Sequence, residues 1–153
     1  MLSQFDIEKI QKEVYAFFRK MSFDVGVELL PPQENTVSIN LKSEDPQILI
    51  GEGGQTLFDI QRLLTLILRK EIEEIFFLDL DINGYKKKKN EYLRELARST
   101  ADEVSLSKKE KALVPMPAYE RRVIHIELAE RKDVTTESTG EEPERRIIIK
   151  PNL

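Results

Sequence analysis

The sequence has no cysteine, which excludes disulfides, thiolate metal sites and a cysteine nucleophile. It has a single histidine, His125, and no cluster of zinc ligands around it. No apolar run approaches the roughly 20 residues that cross a bilayer, so no membrane insertion is expected. The opening residues, MLSQFDIEKIQKEV, are charged and amphipathic and lack the apolar core of a signal peptide. There is no Walker loop and no ordered Ser/His/Asp set with supporting motifs. Internal repeats and low-complexity segments are missing too. These absences point away from an enzyme and away from any metal or other cofactor. They fit a protein of the reducing cytoplasm.

What is present is a chain of 153 residues, 40% hydrophobic and 34% charged, enough for one ordinary domain or two small ones. Its net charge of −4 argues mildly against a general nucleic-acid binder. The average hides an asymmetry. Residues 1–82 carry 8 Lys/Arg against 15 Asp/Glu, a net of −7, whereas residues 83–153 carry 16 against 13, a net of +3. From Gly84 to His125 there are 11 basic and 6 acidic residues, so a polyanion should meet the second half first.

Hydrophobic spacing divides the chain into elements. Phe5, Ile7, Ile10, Val14, Phe17, Phe18 and Met21 recur at helical intervals. The stretches 25–30 and 36–41 read as strands joined across Pro31-Pro32. Asp45-Pro46 predicts a short helix through Ile50, with Asp45 as its cap. A longer helix follows from about Gln55 to Lys70, then a strand over 75–82 closed by Asn83-Gly84. A charged helix is predicted from Tyr85 to about Ser105, with Tyr92, Leu93, Leu96, Ala97 and Val104 as its apolar stripe. An extended piece at 112–116 precedes a helix from Pro117 to about Glu130. A hairpin over 133–138 and 144–151 ends the chain. The fold class is α+β.

Between the second and third helices lies Leu49-Ile50-Gly51-Glu52-Gly53-Gly54-Gln55-Thr56-Leu57. One reading of this turn is packing, since glycine accepts positive φ and lets helix ends approach. The other is a phosphate cradle of bare amides at a helix start. An Ile-Gly-x-x-Gly turn in the order α-β-β-α-α-β resembles the type II KH domain, over residues 1–83. The resemblance implies that Ile50, Gly51, Glu52, Gly53, Gly54 and Gln55 form a loop that clamps the backbone of single-stranded RNA. Glu52 departs from the family's usual Lys or Arg and places a repelling carboxylate in that loop.

Arg121 and His125, four apart, fall on one face of the predicted last helix. A helical wheel puts Tyr119, Val123 and Ile126 on one apolar side and Ile124 and Leu128 on another, with the pair in a polar window between them. Arg can fork onto phosphate, and His can donate or stack. Arg-x-x-x-His is the motif of the R-3-H domain, a small α+β single-strand binder. GYKKKKNEYLRELARSTADEV before the motif and TTESTGEEPERRIIIKP after it extend the likeness over residues 84–153.

KH followed by R-3-H resembles the Jag family, SpoIIIJ-associated proteins of the KhpB type. Many members begin with a separate N-terminal domain and linker, which this sequence is expected to lack. The resemblance implies a bacterial cytoplasmic protein that binds single-stranded RNA, or single-stranded DNA, as a post-transcriptional regulator. It assigns nucleic-acid contacts to Arg121, Arg122 and His125, to which the basic density of residues 84–125 adds Lys86, Lys87, Lys88, Lys89, Arg94 and Arg98 as auxiliary cations. It also implies pairing with a second copy or with a small single-KH protein.

Two rival readings stand beside this one. Asp79 and Asp81 share one strand face, which could suggest a metal or acid–base pair, but a solvated strand face is the favoured explanation. The KH half could instead serve protein interaction, leaving nucleic acid to the R-3-H half.

Overall fold

A computed structural model describes residues 1–153. It divides into two compact units, Met1–Lys86 and Lys87–Leu153. No helix is long and apolar enough to cross a membrane.

The first unit starts with α1, Gln4–Lys20. Ser3 caps it: the Asp6 amide donates to Ser3 Oγ, and the Ser3 amide donates back to Asp6 Oδ2. The Ser3 bonds hold the Asp6 carboxyl below the usual carboxylate range. Ile10, Val14 and Phe18, at four-residue steps, are fully buried, whereas Phe5 and Met21 at the ends of the predicted stripe are exposed.

Strand β1, Gly26–Leu29, pairs antiparallel with β2, Thr36–Lys42, and β2 pairs parallel with β3, Phe77–Ile82. The central β2 buries Val37, Ile39 and Leu41, and β3 buries Leu78, Leu80 and Ile82, the two-residue alternation of a sheet with one covered face. Strand β3 starts two residues later than the sequence predicts, because Phe77 pairs with Thr36, where β2 itself begins.

Helix α2, Pro46–Ile50, keeps Pro46 in its first turn, but the Asp45 side chain makes no capping bond. Asp45 stands at the N-cap position as expected, and its amide donates to Ser43 Oγ. A single 3-10 turn, Glu52–Gly54, leads into α3, Gln55–Leu68. Leu57, Ile60, Leu64 and Leu68 of α3 close the core. Each such burial stabilises by roughly 1.5–3 kcal/mol.

The second unit holds all but the first two residues of α4, Tyr85–Ser107. Strands β4, Lys111–Ala112, β5, Val134–Thr139, and β6, Arg146–Pro151, form an antiparallel sheet in the order β4-β6-β5. Helix α5 spans Ala118–Leu128. The core joins Leu93, Ala97, Ala101 and Val104 of α4 to Ile124 and Leu128 of α5 and Ile147 and Ile149 of β6. Tyr92, placed in the buried stripe by its spacing, is exposed. Arg131 pins the turn after α5: Nη1 reaches Asp102 at 2.6 Å and Nε reaches Asp133 at 2.9 Å. The Arg131 bond holds the Asp133 carboxyl far below its ordinary range.

Candidate nucleic-acid interface

The glycine turn divides its work among its residues. Gly51, Gly53 and Gly54 all have positive φ, at 72°, 62° and 83°. A Cβ on Gly51 would lie 2.1 Å from Thr56 Oγ1, and one on Gly54 would lie 2.9 Å from the Tyr85 ring. Both therefore serve close packing within the unit. Gly53 would meet nothing within 4 Å and faces open space beside the exposed Glu52.

The amides of Gly51, Gly54 and Gln55 donate to the carbonyls of Gln47, Gly51 and Glu52. The remaining amides of the turn, on Glu52 and Gly53, are its candidates for an outside acceptor. Gln55 is exposed and its side chain donates to Asp59, while Ile50 is half-buried against the core.

The Asp79–Asp81 face has a structural occupation. Asp81 Oδ1 accepts from the amides of Ile82 and Lys86, at 2.8 and 2.9 Å, tying the start of α4 to β3. Lys86 Nζ donates to Asp79 and to Gln61, at 2.8 and 2.7 Å.

In the second unit, Arg121 does not stand in a solvent window. It is 7% exposed, with Nη1 donating to the Met116 carbonyl at 2.6 Å and Nη2 paired to Glu142 at 2.7 Å. The buried face of α5 carries Glu120, Arg121, Ile124 and Leu128, whereas Tyr119 and Ile126 are 51% and 64% exposed. This corrects the predicted helical wheel. Two apolar sides flank Arg121: Ile124 and Leu128 are buried in the core and Val123 is partly buried against it, which leaves Tyr119 and Ile126 exposed.

His125 is half-buried, with Nδ1 2.6 Å from Thr136 Oγ1 on β5. Burial first, and the Arg121 charge second, push its pKa below the ordinary value. The ring is therefore mostly neutral at pH 7, and Nε2 is its other polar atom.

The remaining cations differ in how free they are. Arg122, Lys87 and Lys88 are exposed and form no ion pair. Lys89 lies 3.7 Å from the Glu120 carboxylate and over the Tyr92 ring. Arg94 and Arg98 share Glu127, at 3.9 and 2.7 Å. Exposed pairs of this kind contribute at most about 1 kcal/mol, so a phosphate can compete for either arginine.

Thr136, Asn90, Tyr119 and Ile126 all bear on this surface and were absent from the predicted site. The two apolar sides of the α5 wheel were the available signal for Tyr119 and Ile126. No local pattern marks Thr136.

Residues 91–151 match the R-3-H domain family. The chain is 40% identical over 129 residues to an RNA-binding protein KhpB of Clostridium symbiosum, covering 84% of this chain and 58% of that protein. It is 34% identical over 118 residues to RNA-binding protein KhpB of Bacillus subtilis, covering 76% and 57%. With the protein of that name from Streptococcus pneumoniae the identity is 30% over 150 residues, covering 96% and 46%. The chain spans about half the length of these curated relatives.

Proposed function

We propose that this chain is a KhpB-type protein that binds single-stranded RNA without catalysis, as a post-transcriptional regulator in the bacterial cytoplasm. The observation that carries the reading is the extent of the likeness: similarity to RNA-binding KhpB proteins runs through both units, not the R-3-H part alone. Residues 84–153 are read as the R-3-H region and residues 1–83 as a type II KH domain.

In this reading the second unit supplies most of the grip. Arg122, Lys87 and Lys88 meet phosphates directly, and Arg94 and Arg98 exchange Glu127 for phosphate. His125, held by Thr136, offers a neutral ring edge rather than a charge. The KH-like turn approaches a phosphate through the amides of Glu52 and Gly53, while the Glu52 carboxylate weakens that approach.

The test is a salt titration of labelled single-stranded RNA, single-stranded DNA and duplex against the intact chain, read by fluorescence anisotropy. Single strands should bind more tightly than duplex, with log K falling linearly in log salt as counterions are released. Absence of binding to RNA at low salt would sink the reading.

A second reading is favoured by the −7 net charge of residues 1–82 and by Glu52 in the turn. There the first unit binds a second copy or a small single-KH protein, and nucleic acid belongs to the second unit alone. Partner binding detected by sedimentation, together with RNA affinity indifferent to Glu52→Lys, would select it.

A further inference from the structure

The outward face of α5 carries the exposed Tyr119, Arg122 and Ile126. Steps of three, four and seven residues put these side chains in one stripe along the helix. A lone exposed apolar residue means little on any protein surface. Here the surroundings are specific. Tyr119 hydroxyl and Asn90 Oδ1 are hydrogen-bonded, which holds the ring beside α4. Asn90 belongs to a second line, because Lys87, Asn90, Arg94 and Arg98 recur at helical steps and share one flank of α4. Arg94 and Arg98 both reach Glu127 of α5, so this flank is the one that borders α5.

The result is an apolar stripe with cations along its border and Arg122 within it. Such a combination suits a single strand, whose bases stack on apolar faces while its phosphates track positive charge. A duplex hides the faces of its bases. A protein partner would value the apolar stripe but gains less from the cations.

We propose that this stripe is the nucleobase platform of the protein: bases of a single-stranded RNA stack on Tyr119 and Ile126, while Arg122 and the Lys87–Arg94–Arg98 line hold its phosphates. The proposal rests on the RNA-binding reading and relocates its centre. Arg121, whose guanidinium is committed to Met116 and Glu142, shapes the unit, and its neighbour Arg122 makes the contact.

The test measures the affinity of the full chain for a labelled mixed-sequence single-stranded RNA. Tyr119→Ala should weaken binding about 5- to 150-fold, the range that loss of one base–aromatic stack produces, while Tyr119→Phe, which keeps the ring but loses its bond to Asn90, should weaken it less than Tyr119→Ala. Arg122→Ala should lower the salt slope by about one phosphate. Ile126→Glu, at a 64% exposed position, probes the same stripe independently of any folding defect in the tyrosine variants and should also weaken binding. If the unaltered chain binds no RNA, the functional reading itself fails. If it binds RNA and both Tyr119→Ala and Ile126→Glu bind equally well, the platform is overturned and the RNA reading stands. Unchanged RNA affinity with altered sedimentation would assign the stripe to a protein partner, also overturning the proposal.

Discussion

Arg121 and Glu142 are paired at 2.7 Å, yet only the arginine is buried: its side chain is 8% exposed and that of Glu142 is 57%. The pair ties α5 to the loop between β5 and β6, while the same guanidinium satisfies the Met116 carbonyl ahead of α5. A side chain predicted to reach outward thus braces the unit from within.

Its removal should therefore register in stability. Arg121→Ala leaves the Met116 carbonyl without its donor and should cost about 1–3 kcal/mol in urea unfolding. Glu142→Gln keeps an acceptor at an exposed position and should cost less than about 1 kcal/mol. Equal losses in the two variants would contradict this division of roles.

The three glycines of the turn should respond unequally. Gly51→Ala forces a Cβ onto Thr56 and adds the strain of positive φ, so it should lower the melting temperature most. Gly53→Ala meets open space and should cost only the left-handed conformation, about 1–2 kcal/mol. Glu52→Lys should leave the melt almost unchanged and tighten RNA binding by about 1 kcal/mol at low salt, fading as salt rises. An affinity indifferent to Glu52→Lys would place this turn outside the RNA path.

His125 makes the stability of the second unit depend on pH. Its folded pKa lies below the ordinary 6.5, so on acidification the unfolded chain takes up the proton first. The stability contribution is present above about pH 6.5 and is lost as pH falls through the lower folded pKa. Denaturant unfolding of the protein and of His125→Asn, compared between about pH 5 and 7.5, should show a slope that the variant lacks. Parallel curves would remove His125 as its source.

Glu127 offers the opposite test, a gain. It holds Arg94 and Arg98 at once, so Glu127→Gln should free two cations beside α5. RNA affinity should rise at low salt and converge with the parent at high salt. Stability should change by no more than about 1 kcal/mol, because both arginines are exposed. A fall in affinity would mean that Glu127 positions the arginines for binding.

Periodicity, punctuated by Pro31-Pro32, Asp45-Pro46 and Asn83-Gly84, determined the order of elements in this chain. Ile10, Val14 and Phe18 declare α1, and the alternation of Val37, Ile39 and Leu41 declares β2, because burial on one face repeats with the backbone geometry. The positive-φ glycines were legible for a similar reason, since the requirement is local. Tertiary structure decided which polar side chains stay free. Arg121 finds its carboxylate 21 residues downstream, and His125 finds its hydroxyl 11 residues away on another element. Whether Tyr119 or Ile124 marks the packed side of α5 depends on where α4 and the sheet stand. A helical wheel orders side chains around an axis, but only the neighbouring elements choose which of two apolar sides they cover and, with it, which of two adjacent arginines remains in water.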